Sequence, residues 1–152
     1  MALTRRDICI LLPALMATAT GHAAEEGASN DQALPSAIYD FKDLKVEKSK
    51  GRDYIPVFEG TTSNGQHLSM HESGVAPGGV VHEMYSHPGD ELFLVREGML
   101  EVEMEGKRCQ VGPGGVAYVA SNTRYAVRNT GKEWTRYFVF LFGPPHPHIQ
   151  WG

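Results

Sequence analysis

HEMYSHPGDELFLVREG, residues 82–98, runs from a glycine-flanked segment through a His-Pro-Gly-Asp turn into residues apolar on both strand faces. His87 and Glu91 stand four residues apart across that turn, and His82 lies five residues before His87. ELFLV, residues 91–95, has no polar alternation after Glu91, so this strand is expected to be covered on both sides. RYFVFLF, residues 136–142, reads the same way. Two such strands imply a second layer inside and either a second copy of the chain or a packed terminal arm outside.

The surroundings extend this pattern. From Ile38 onward, short segments rich in Val, Ile, Phe, Tyr and Leu alternate with turns such as SNGQ, APGG, GPGG and NTGKE. No segment keeps helical periodicity over ten residues or more. Regular short strands punctuated by glycine predict an all-β sandwich or barrel. In LEVEMEGKR, residues 100–108, Leu100, Val102 and Met104 alternate with Glu101, Glu103 and Glu105. One face is therefore buried, and the acidic run is a solvated strand face. Cys109 follows on a predicted strand and reads as a small buried hydrophobe.

Residues 1–23 stand apart from this domain. MALTRRD is basic, ICILLPALMA apolar and TATGHAA small, the layout of an export signal too short to span a bilayer comfortably. Thr4-Arg5-Arg6-Asp7-Ile8 resembles a twin-arginine signal, so the general secretory and twin-arginine routes both stand. The expected location is periplasmic or extracellular. Residues 24–37 are polar and aperiodic and read as a flexible arm. Residues 144–152, rich in Pro and His, cannot form a central strand and are expected to lie on the domain surface.

The formal charge is −4 over 152 residues. Such mild acidity argues against nucleic acid or an anionic membrane as the main partner. Removing residues 1–23 leaves Cys109 as the lone cysteine, so no internal disulfide supports the fold.

Spacing narrows the fold further. Gly79, Tyr85, His87, Glu91 and Gly98 follow the first cupin motif, G-x5-H-x-H-x3-E-x6-G, with Tyr85 at the first histidine position. Gly114, Ala120, Asn122, Tyr125 and Asn129 follow the second, G-x5-P-x-G-x2-H-x3-N, with Tyr125 at the histidine position. Over residues 38–143 the chain resembles a small single-domain cupin. The resemblance implies a jelly-roll β-barrel, and the two strands apolar on both faces leave a homodimer or a packed terminal arm as the outer cover. In the family, four side chains at these positions bind one divalent ion, usually iron, manganese, nickel, copper or zinc.

Two of the four are phenols here. With a pKa of about 10, a phenol must lose a tightly held proton to ligate. His87 and Glu91 alone are too few, since metal sites generally take at least three protein ligands. His82 could supply the third, or it could be an ordinary loop histidine. His67 and His71 read as strand-surface histidines.

Three functions follow. A small organic ligand could be held over Tyr85, His87, Glu91 and Tyr125 without metal. A rearranged His82, His87 and Glu91 set could hold a divalent ion for dioxygenase or isomerase chemistry. The tyrosines could instead fill the interior of a non-catalytic structural or interaction protein. The presence of a cofactor and the reaction type, if any, stay open at this level.

Overall fold

The computed structural model describes residues 33–144. The export-signal and C-terminal-tail readings for residues 1–23 and 145–152 lie outside them. So does most of the predicted arm, although Ala33 bridges Thr61 and the Leu34 amide donates to the Thr61 carbonyl.

A short 3-10 turn at Phe41–Asp43 precedes ten strands: β1 Glu47–Ser49, β2 Arg52–Thr61, β3 His67–Val75, β4 Val80–Tyr85, β5 Asp90–Glu97, β6 Leu100–Met104, β7 Lys107–Val111, β8 Val116–Val119, β9 Tyr125–Arg128 and β10 Thr135–Phe142. They form a six-stranded sheet ordered β1-β2-β3-β10-β5-β8 and a four-stranded sheet ordered β4-β9-β6-β7.

Strand alternation builds the core. Phe93, Val95, Tyr137 and Val139 from the larger sheet meet Leu100, Val102, Tyr125 and Val127 from the smaller. These were the inward positions expected from alternation along β5, β6 and β9. Burying a side chain of this size contributes roughly 1.5–3 kcal/mol, so the inter-sheet layer dominates the stability of a fold without disulfides.

The expected closed barrel is not what forms. Among the described residues no ladder joins β1 or β8 to β4 or β7, so the architecture is an open two-sheet sandwich. The reason is local: β1 has three residues and β8 four, too short to wrap the larger sheet onto the smaller. Inward–outward alternation is the same in a sandwich and a barrel, so the sequence pattern does not separate them.

The outer face of the larger sheet is partly covered by the chain itself. Phe41 meets Phe138 edge-on at 6.4 Å, and the Arg96 guanidinium sits 4.9 Å above the Phe41 ring. Beneath lies Glu72, fully buried and 3.0 Å from Arg96. Burial pushes the Glu72 carboxyl upward, and Arg96 opposes that shift. Val116, Tyr118 and Phe142 stay exposed farther along this sheet.

Cys109 is the second correction. It lies on β7, the edge strand of the smaller sheet, and is exposed. Four of the five β7 residues face solvent, and among the described residues β7 pairs only with β6. The two-residue turn before it, Glu105–Gly106, takes positive φ at both positions (51° and 73°), the hairpin geometry that suits strand twist.

Candidate functional site

Tyr85, His87, Glu91 and Tyr125 converge at one end of the sandwich. Tyr85 ends β4 and pairs directly with Tyr125 at the start of β9. Glu91, near the start of β5, pairs with Leu141 on one side and Val119 on the other. His87 is on the loop between β4 and β5. The β8–β9 loop clamps that loop: the Asn122 amide donates to the His87 carbonyl, the Gly89 amide to Ser121 Oγ, and the Ser121 amide to Asp90 Oδ1. Asn122 has φ +61°, a left-handed conformation that asparagine tolerates better than most residues.

The Tyr125 hydroxyl is the hub. It donates to Glu91 Oε2, lies 3.2 Å from His87 Nε2 and 3.0 Å from the Tyr85 hydroxyl. His87 Nε2 is also 3.2 Å from Glu91 Oε2, and His87 Nδ1 is 2.9 Å from the Pro88 carbonyl. Tyr125 is fully buried and Glu91 is 7% exposed, so these bonds act in a low-dielectric setting. Burial raises the Tyr85 phenol to about 12 and pushes Tyr125 higher still, with Glu91 adding to both shifts. Both phenols keep their protons across physiological pH.

His82 faces the same cluster. Its ring lies edge-on to Tyr85 at 4.3 Å and to Tyr125 at 4.5 Å. Simple alternation puts residues 82 and 85 on opposite faces of a strand. Register shifts in β4 on both sides of His82 change that and bring both rings inward. His82 Nδ1 is 3.1 Å from the Glu83 carbonyl, and its buried Nε2 has no hydrogen-bond partner among the described residues.

These donors do not fit a divalent ion, which corrects the proposed His82, His87 and Glu91 metal set. His87 Nε2 and Glu91 Oε2 are engaged with each other and with the Tyr125 hydroxyl, which takes the point their donor atoms share. Among the described residues, no group of three or more His, Cys, Asp or Glu gathers where one ion could be held. Two protonated phenols complete the ring instead.

The two histidines should titrate in opposite directions. The hydrogen bond to Glu91 is the main cause that raises His87 above the ordinary 6.5. Desolvation is the main cause that lowers His82 below it. Folding therefore favours protonated His87, which adds stability below the ordinary value and loses it as pH rises through the raised one. Neutral His82 adds stability above the ordinary value and loses it as pH falls through the lowered one. Imidazole NMR titration is expected to show His87 protonating at higher pH than His82. Glu91→Gln should bring His87 down, and an unchanged His87 would refute the pairing.

Along β3, His71 shares its face with Ser69, Ser73 and Val75, and its ring is 4.8 Å from Tyr54. It thus turns between the sheets, where the strand-surface reading is wrong. Its parity with buried Val75 was the available signal. His67 is 3.4 Å from Glu59. Leu141, Met104 and Tyr85 pack against the core around the cluster yet are only partly buried.

Residues 71–141 match the family profile described as Cupin domain. Polyketide synthase CurC of Streptomyces cyaneus is 28% identical over 126 residues, spanning 80% of this chain and 78% of that protein. KdgF from Halomonas superposes with a TM-score of 0.61 at 15% identity, covering 72% of this chain and 96% of its own. An RmlC-like cupin from Shewanella frigidimarina gives 0.60 at 12%, covering 73% and 95%. A predicted oxalate decarboxylase from Thermotoga maritima gives 0.59 at 13%, covering 71% and 100%. At these identities the structures establish the fold alone.

Proposed function

We propose, from the premise that this chain carries a cupin domain, that the protein holds a small organic molecule between its sheets without a metal. The observation that carries this reading is the Tyr125 hydroxyl at the shared point of His87, Glu91 and Tyr85. It turns an ion-binding arrangement into a hydrogen-bonded floor beside the partly buried Leu141, Met104 and Tyr85. The unspent polar capacity there is the buried His82 Nε2. The part-exposed Tyr85 hydroxyl stands beside it.

Rings of Tyr85 and His82 beside this cluster suit a flat, oxygen-bearing ligand that stacks and accepts or donates one or two hydrogen bonds. A hydroxylated aromatic ketone is the class we favour, and the similarity to a protein named polyketide synthase is consistent with it. Calorimetric titration with 2,4-dihydroxyacetophenone is expected to give saturable binding that Tyr85→Phe weakens about tenfold, the value of one hydrogen bond to a ligand. Equal affinity in the variant would remove Tyr85 from the site.

The same reading includes export, supported by the basic, apolar and small-residue order of residues 1–23. It also includes a homodimer through the outer face of the larger sheet, supported by Val116 at 53% and Tyr118 at 55% exposure on one strand. Light scattering is expected to report a dimer, and a monomer after Val116→Glu with Tyr118→Glu. An unchanged mass would move the interface elsewhere.

A further inference from the structure

Residues 33–44 cross the outer face of the larger sheet as a strap. Ala33 and the Leu34 amide tie its start to Thr61, at the end of β2. Between Leu34 and β1, among the described residues, no ladder joins it to the sheet. The Asp43 and Leu44 amides donate within the strap, to the Asp40 and Phe41 carbonyls. Asp40 caps this turn and holds Lys42 at 2.7 Å. Rings seat the stretch on the sheet: Tyr39 lies 5.5 Å from Phe58, and Phe41 lies edge-on to Phe138. No residue of the Phe41–Asp43 turn is buried, so lifting it disturbs little of the core.

Glu72 lies beneath, 0% exposed, with Ile55 of β2 and Phe138 of β10 beside it across the two ladders. A buried carboxylate is costly unless it is paired. Arg96 Nη2 stands 3.0 Å from Glu72 Oε1, and the same guanidinium lies over the Phe41 ring. Carboxylate, guanidinium and ring thus stack from the sheet toward solvent. Arg96 is shared, since Glu97 Oε1 is 3.3 Å from it. Arg136, on β10, holds Asp53 of β2 at 3.1 Å and approaches Glu97 at 3.8 Å. On the strap Asp40 and Lys42 neutralise each other, and Asp43 completes the turn.

Desolvation outweighs the attraction of Arg96 and Arg136, and Glu97 and Asp53 add to the rise of the Glu72 carboxyl. A cover that raises a carboxyl's proton affinity is itself favoured by protonation. Neutral Glu72 therefore stabilises the closed strap below the ordinary carboxylate value, and that stability is lost as pH rises through the raised one. Once neutral, Glu72 leaves Arg96 to Glu97 and the Phe41 ring.

We propose that residues 38–44 are a proton-linked strap, closed over Arg96 while Glu72 is neutral and lifted to admit water when Glu72 ionises. Arg96 couples the two events because it meets both the carboxylate and the ring. The device depends neither on the ligand nor on the homodimer proposed above.

NMR of the labelled full chain, followed from acidic to neutral pH, tests this. The Glu72 carboxyl carbon reports its own titration, and amide exchange at residues 39–44, corrected for intrinsic rates, reports the strap. Opening is expected to rise with pH through the Glu72 midpoint by up to about tenfold per unit, the slope of one proton. Glu72→Gln is expected to hold the strap closed and remove this dependence. Phe41→Ala, at a side chain already 39% exposed, is expected to shift the Glu72 midpoint downward with the fold intact. Asp40→Asn is expected to leave the Glu72-linked step in place. Lys42 holds the Asp40 carboxyl below its ordinary value, and protonating that cap would loosen the turn on acidification instead. Opening on acidification, a pH dependence that persists in Glu72→Gln or vanishes in Asp40→Asn, or an unmoved midpoint in Phe41→Ala would each overturn the proposal.

Discussion

Gly98→Ala is expected to destabilise the domain by about 3–5 kcal/mol, the sum of a left-handed backbone penalty and a forced overpacking. Gly98 has φ +74°, and a β-carbon there would stand 2.5 Å from the Trp134 carbonyl oxygen and 2.7 Å from Thr135 Oγ1. Neither neighbour can yield cheaply. The Trp134 oxygen is backbone, and Thr135 Oγ1 accepts from the Met99 amide and donates to the Met99 carbonyl. The turn from β5 to β6 and the start of β10 are thus bolted together at one glycine. Gly106→Ala is the control, with φ +73° and no atom within 4 Å of the new carbon. It should lose only about 1–2 kcal/mol, the conformational part. Urea denaturation of the two variants measures both quantities. Equal losses would mean that close packing at Gly98 contributes nothing.

Tyr125→Phe is expected to cost about 2–3 kcal/mol, the range for a buried hydrogen bond to a charged partner. The ring stays, with its contacts to Phe93 at 6.0 Å and Tyr85 at 5.2 Å, so the loss isolates the hydroxyl. Glu91 loses a donor and Tyr85 loses a partner, while the His87–Glu91 contact at 3.2 Å survives. The raised titration of His87 should therefore persist in the variant. If the tyrosines only filled space, phenylalanine would cost less than about 1.5 kcal/mol, as a volume-conserving change does. Denaturation together with the His87 titration distinguishes the hub from the filler.

Much of this was legible before any coordinates. Glu91, Phe93 and Val95 on one face of β5, and Leu100 with Val102 on one face of β6, are buried as their alternation required. Motif spacing correctly brought Tyr85, His87, Glu91 and Tyr125 together, because spacing fixes which loop enters which strand. Asn129 closes the second motif for a visible reason: its side chain donates to the Val75 and Glu133 carbonyls and accepts from the Gly131 amide.

The failures have physical causes. The sequence left His82 open between an inward and a loop position, because the register shifts in β4 that turn it toward Tyr125 leave no periodic signature. Cys109 looked buried because edge and central strands share the same composition, and only pairing reveals that β7 has one neighbour. Sheet closure depends on which short strands meet at the edges, information carried by no single segment.

The central claim is that the tyrosine cluster forms a metal-independent floor for an organic ligand. The most direct test is an amide and side-chain NMR titration of the labelled protein with 2,4-dihydroxyacetophenone in the presence of a strong chelator. We expect saturable shifts concentrated at His82, Tyr85, Met104 and Leu141, unchanged when the chelator is replaced by zinc or manganese. Shifts confined to other surfaces, or appearing only when metal is supplied, would contradict the account.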